Sequence, residues 1–146
     1  MKVKIKKLHP SATIPKHATS GAACFDLHAL IDGEAYVYCY VNAPKTFRTG
    51  LSFEIPEGHV MLVYSRSGHG FTHGVRLANC VGIIDADYRG ELLVKLTPDE
   101  ENTLMVVNGD RIAQAMIVPV DRVDFEEVEE LNSTDRGAGG FGSTGQ

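Results

Sequence analysis

Apolar and polar residues alternate with a period of two in many short runs along this chain, and turn formers interrupt the runs roughly every eight to twelve residues. Lys2–Leu8 alternates Lys with Val3 and Ile5, the pattern of a surface or edge strand whose lysines guard it against pairing with other chains. Glu34–Val41 (EAYVYCYV) is aromatic and β-branched. Thr46–Ile55 continues as strand across Gly50, and Pro56-Glu57-Gly58 makes a sharp turn. His59–Tyr64 (HVMLVY) is nearly all apolar and reads as a central strand. Val81–Ile84 and Glu91–Leu96 flank a short polar turn and predict a β-hairpin. Thr97–Asn102 reads as a polar turn, Thr103–Val107 as a strand and Ile112–Val120 as an apolar strand that Pro119 brings to an end or an edge. Asp121–Asp135 spaces Phe125, Val128 and Leu131 for one more strand or a short turn. Summed, the pattern predicts about eight to ten short strands and no amphipathic helix beyond one turn. That is an all-β, jelly-roll-like barrel or sandwich.

Composition narrows the function classes. The chain has 146 residues, 43% hydrophobic and 23% charged, enough for one domain with a real core. A net charge of −5 argues against nucleic-acid binding by phosphate neutralisation, though a local pocket can still be positive. No apolar run approaches the roughly 18 residues of a membrane span. MKVKIKKL carries basic residues without an apolar core behind them, so the expected compartment is the cytoplasm. Cys24, Cys39 and Cys80 are odd in number and widely spaced, which predicts reduced thiols and no disulfide set.

Candidate chemistry is scattered. Asp26 stands between apolar neighbours and reads either as an outward strand residue or as a carboxylate aimed at a cation or its waters. Ser65-Arg66-Ser67-Gly68-His69-Gly70 reads as a loop, either a plain connection or an anion nest of backbone N–H groups beside Arg and Ser. His69 and His73 have metal-ligand spacing only on a helix. Gly68, Gly70 and Gly74 argue against one, and the further ligands zinc needs are not evident. The turn Asp85–Gly90 concentrates two carboxylates, a phenol and a guanidinium, more than a turn requires. Gln114 lies alone in an apolar run. Arg136–Gln146 (RGAGGFGSTGQ) has the composition of a flexible arm, and also of a chain end that closes over a polyphosphate.

Five stretches together resemble the trimeric dUTPase family, the deoxyuridine triphosphate nucleotidohydrolases. They are Ala23–Leu27, then Arg66–Gly68 with His73–Val75, then Asn79–Glu91, then Gly109–Gln114, and last Arg136–Gly145. The third and fifth are the most specific. The resemblance implies a β domain over residues 1–135 and an arm over 136–146 that closes the active site. It implies hydrolysis of dUTP to dUMP and pyrophosphate by Mg2+-assisted water attack on the α-phosphorus, limiting uracil in DNA and supplying dUMP for dTMP synthesis. Asp85 would be the general base, and Asp26 would hold the metal through water. Arg66, Ser67 and Gly68 would grip the α- and β-phosphates, with Gln114 on nearby phosphate or water. Arg136, Ser143 and Thr144 would take the γ-phosphate from the arm, where Gly142 would also bind substrate. Phe141 would stack on uracil and Tyr88 on the sugar, while Asn79 and the backbone at Gly82 would read the base. The family is a homotrimer with shared sites. Three departures stand out: Cys24 replaces a usual Gly, Ser65 a frequent Pro, and His69–Thr72 the usual Leu-Ala-Leu-Lys. The dCTP deaminases share the fold by resemblance but lack the arm, and ammonia against pyrophosphate release separates the two. A regulatory binding role remains open as an addition to catalysis.

Overall fold

The computed structural model describes residues 1–99 and 102–143. Eleven strands pair entirely antiparallel, in a jelly-roll-like arrangement with no closed barrel among the described residues. β1 (Lys4–Lys7) pairs with β5 (Leu51–Glu54), and β3 (Val37–Tyr40) pairs with β10 (Thr103–Val106). A four-stranded sheet runs in the order β2 (Phe25–His28), β11 (Arg111–Pro119), β6 (His59–Tyr64), β8 (Gly82–Ile84). A three-stranded sheet runs β4 (Lys45–Arg48), β9 (Leu93–Pro98), β7 (Val75–Leu77).

Alternation places the core. Val94 and Leu96 of β9 are buried while Leu93 and Lys95 face out, and Leu104 and Val106 of β10 repeat the pattern. From β6 come Met61 and Val63; they meet Leu27, Leu51, Leu77 and Ala115 in one contiguous cluster. The opposite face of the four-stranded sheet has a divided character. Register sets Asp26, Gln114 and Tyr64 in one polar row, and Met116, Leu62 and Ile83 in an apolar row beside it. Ile83 is 67% exposed, and Leu62 and Met116 are half-buried.

Four expectations are corrected. Val81–Ile84 and Glu91–Leu96 do not form a hairpin. β8 bonds to β6 and β9 to β4 and β7, so the two runs lie in different sheets. The cause is long-range pairing: the Leu92 N–H donates to the Leu51 carbonyl, and Thr49 and Ser52 hydroxyls donate to the carbonyls of Leu92 and Arg89. These bonds draw the second run away, and its strand starts only at Leu93 and runs on through buried Thr97 to Pro98, past the turn predicted at Thr97. The Ser65–Gly70 loop is in part a helix, α1 (Ser67–His73), ended by Gly74 in the left-handed conformation (φ 57°). It buries no residue, so no apolar stripe announced it. Asp121–Asp135 forms no strand.

Candidate active site

At the polar end of the four-stranded sheet, Asp26 is held by two guanidinium groups. Arg66 Nε donates to one carboxylate oxygen at 3.1 Å and Arg111 Nη1 to the other at 3.3 Å. Arg66 Nη1 also donates to the Arg111 carbonyl at 3.3 Å. Gln114, opposite Asp26 in register, donates its amide to the Ser65 carbonyl at 3.0 Å. The Ser65 hydroxyl accepts the Leu77 N–H at 2.9 Å, a tie that proline's side chain cannot make. Two positive charges around one negative leave this cluster net positive on an acidic chain, the local exception that anion binding requires. Ser67 and Gly68 follow Arg66 directly as the first residues of α1, whose opening N–H groups have no partner within the helix.

Two histidines border the cluster. Burial is the main force holding the His28 imidazole below its ordinary value; Asp26 opposes it, and Arg111 and Arg66 reinforce it. His69 is lowered likewise, first by burial, then by Arg66 and His73, with Asp110 opposing. The Nδ1 of each is inaccessible and has no hydrogen-bond partner. His69 and His73 do share the helix that the glycines argued against, their rings 6.4 Å apart, but no group of three or more metal-binding side chains converges among the described residues. Burial raises the Cys24 thiol, and Asp26 adds to that.

Asn79 and Gly82 wall a second region. A cavity of about 420 Å3 opens between β8 and β9, lined among others by Asn79, Gly82, Ala78 and Leu92. Gly82 sits close to β6: a Cβ at this position would stand 3.1 Å from that of Val63, so a larger residue needs Val63 to give by a few tenths of an ångström. The strand continues into Asp85, which lines a broader groove with Ile83, Ala86 and Arg89; Ile83 borders both spaces. Arg89 Nη1 donates to the carbonyls of Ala86 and Tyr88, so its role is to hold this turn. Tyr88 lays its ring over Gly90 and donates its hydroxyl to the Glu91 carbonyl at 3.0 Å.

The arm is a third region. Arg136 Nε donates to the Gly139 carbonyl at 2.9 Å, and the other hydrogen bonds of residues 134–143 are local turns. Phe141 is fully exposed, with Gly142 and Ser143 beside it; Thr144 lies outside the described residues.

Asp26, Arg66 and Gln114 are therefore brought together, whereas Asp85 is not among them. Asp26 sits on edge strand β2, level with Tyr64 of β6; Asp85 follows β8 at the other edge, about level with Val60. Three strand spacings across and four residues along separate them by on the order of 20 Å. Sequence reasoning assigned no role to Arg111. The sequence carries no distinct signal for it, because Ile112-Ala113 and Ala115–Val118 are both continuous apolar runs and β11 does not alternate.

The dUTPase family model matches residues 10–145. The chain belongs to the dUTPase family. A deoxyuridine 5'-triphosphate nucleotidohydrolase of Nautilia profundicola is 47% identical over 146 residues, covering all of both chains. One from Syntrophotalea carbinolica is 46% identical, covering 98% of this chain and 96% of its own. Among solved structures, a Staphylococcus bacteriophage 80alpha dUTPase with dUpNHpp superposes with a TM-score of 0.85 at 26% identity, covering 99% of each chain. A mutant dUTPase from phage phi11 of S. aureus, whose structure is described as coordinating a structural Mg(II) ion, has the same fold at 22% identity and a TM-score of 0.76, covering 89% of this chain and 98% of its own.

In this dUTPase chain Asp26 fits a hydrated cation once an incoming polyphosphate balances the two guanidinium charges. A carboxylate offers about four acceptor positions, and the two guanidinium bonds leave others free for a metal's waters. Magnesium keeps several waters and needs few protein ligands, so the lack of a protein cage among the described residues is consistent with it. No helix among the described residues is long and apolar enough to cross a membrane.

Proposed function

We infer that this chain hydrolyses dUTP to dUMP and pyrophosphate, with water attacking the α-phosphorus. The observation that carries this reading is a cavity of nucleobase scale walled by Asn79 and Gly82, whose rim strand runs directly into the Asp85 carboxylate. Uracil presents N3–H as donor and O4 as acceptor. Cytosine reverses both, so a fixed strand edge rejects it by leaving buried groups unpaired. Tyr88, held over Gly90, packs on the sugar and excludes a 2′-hydroxyl.

Asp85 orients the attacking water and takes its proton. Carboxylates are modest bases, so positioning and charge neutralisation carry most of the rate. Arg66, Ser67 and Gly68 bind the α- and β-phosphates, and Gln114 presents its remaining amide atoms to phosphate or water. Asp26 would hold the waters of a Mg2+ ion, which would supply neutralisation of phosphate charge. Arg136, Ser143 and Thr144 come from the arm to the γ-phosphate, Gly142 also binds substrate, and Phe141 stacks on uracil.

A single chain holds Asp26 and Asp85 too far apart to serve one triphosphate. The reading therefore places the two halves on neighbouring copies, in a homotrimer with three shared sites and the arm of one copy closing another's. Exposed Ile83 at the end of the apolar row Met116–Leu62–Ile83, with Phe125 at 95% and Leu131 at 87% exposure, supports burial between copies. Pyrophosphate release from dUTP, dCTP, dTTP and UTP, with and without Mg2+, tests the whole reading. Strong, metal-dependent preference for dUTP is expected. Equal turnover of UTP would remove the role of Tyr88, and ammonia release from dCTP would replace the activity.

A further inference from the structure

β11 does not keep one register. Gln114 and Ala113 stand opposite Asp26 and Leu27, but the pairing then shifts and Arg111 stands opposite His28. Continued without the shift, Arg111 would fall opposite Ala29, which is buried. The shift is a β-bulge at Ile112. It lets two consecutive residues, Ile112 and Ala113, both enter the core at 0% exposure, which strict alternation forbids. Its other effect is to turn Arg111 onto the face that carries Asp26.

The two arginines on Asp26 differ in their other ties. Arg66 precedes Ser67 and Gly68 and is the one placed to turn toward phosphate. When it turns, Asp26 loses one of its two guanidinium partners. Arg111 arises from the other side, on a strand anchored between β2 and β6, and its carbonyl also steadies Arg66. We propose that Arg111, aimed by the bulge at Ile112, is a positioning residue that keeps the Asp26 carboxylate oriented toward the metal's waters while Arg66 moves to the phosphates.

The proposal rests on the reading of Asp26 as holder of those waters, and the test separates the two. Binding of dUpNHpp is measured by calorimetry in excess Mg2+ and again in EDTA, for the unaltered protein, D26N, R111Q and R111K, with circular dichroism on each. The ratio of the two affinities is the readout. Asp26→Asn is expected to remove the gain that Mg2+ confers. Arg111→Gln is expected to remove most of that gain and to change the EDTA affinity less than threefold, because Arg111 does not itself grip phosphate. Arg111→Lys keeps the charge and is expected to restore part of the gain. If D26N loses the gain and R111Q keeps it, the role of Arg111 is overturned and that of Asp26 stands. If D26N keeps it, the Asp26 reading fails and the proposal with it. Equal loss with and without Mg2+ in R111Q would make Arg111 a phosphate contact and overturn the proposal. Should R111Q fail to fold, R111K decides: a gain as low as that of D26N overturns it.

Discussion

The Asp26 cluster and the C-terminal arm are both read as handling phosphate, yet they are built in opposite ways. Asp26, Arg66, Arg111, Gln114 and Ser65 sit on or next to paired strands, and at least one side-chain hydrogen bond serves each of them. Residues 136–143 carry the same kinds of groups on local turns, with Phe141 wholly in solvent. A preorganised cluster binds without reordering. An arm must lose conformational freedom as it closes, which costs about 1–2 kcal/mol per fixed residue before any contact is gained. The difference suits a division of labour: the strands supply charge at a fixed place, and the arm supplies closure once the substrate is present. Regions of the first kind should therefore report on stability as well as activity, and the arm on activity alone.

The largest effect should come from Asp85, which follows β8 and lies outside both regions. Asp85→Asn removes the proton acceptor and keeps the shape, so kcat is expected to fall by about 10²–10⁴-fold. Binding of dUpNHpp should change only a few-fold, and retained turnover would exclude Asp85 as base. Truncation before Arg136 comes next. A loss in kcat/KM of about 10²-fold is expected from lost closure and positioning. The unfolding temperature should not move, because the arm's hydrogen bonds among the described residues are all internal to 134–143. A truncated chain that melts early would make the arm structural and dissolve the contrast.

That contrast was only partly legible in the sequence. Alternation in Val94–Leu96 and Leu104–Val106 is a local property, so strands and their buried faces could be read directly. The arm's glycines were equally plain. Pairing partners were not legible, since what separates β8 from β9 is the bond of Leu92 to Leu51, some forty residues away in sequence. α1 escaped because glycine-rich Ser67–His73 packs no side chain into the core; its one signal was Gly74 at the C-terminal cap. The site residues were legible as a set of motifs, but the clamp on Asp26 was not. Arg111 reaches it through a bulge that the apolar run on either side of Gln114 does not mark in the sequence.

Smaller changes sharpen the comparison. Phe141→Ala should weaken substrate binding by roughly 1–3 kcal/mol, the scale of base–aromatic stacking, with Phe141→Trp retaining most of it and neither altering the melting temperature. On the strand side, Ser65→Ala removes the acceptor for the partly buried Leu77 N–H. A loss of about 1–3 kcal/mol in unfolding free energy is expected by denaturant titration, a few degrees in melting temperature for a chain of this size. If Ser65→Ala were silent in stability while Phe141→Ala destabilised the fold, the assignment of rigidity would be reversed.

The smallest expected effect is a pH dependence confined to the strand side. The His69 imidazole is held below its ordinary value of 6.5, chiefly by burial. Above pH 6.5 it is neutral whether the chain is folded or not, and its neutrality stabilises nothing differentially. As pH falls below 6.5, the unfolded chain takes up a proton that the folded chain resists. Stability therefore declines with falling pH until the folded-state value is passed, where the difference becomes constant. His28 acts in the same sense, with Asp26 partly offsetting its burial. His69→Gln removes one such group, so its melting temperature should fall less steeply than that of the unaltered chain as pH is lowered from 6.5, while the two curves run parallel above pH 7. The same substitution in the chain truncated before Arg136 should flatten the acid limb equally, because the arm takes no part in holding His69. Unequal flattening would mean that the arm already rests on α1 without substrate, and the two regions would not be independent.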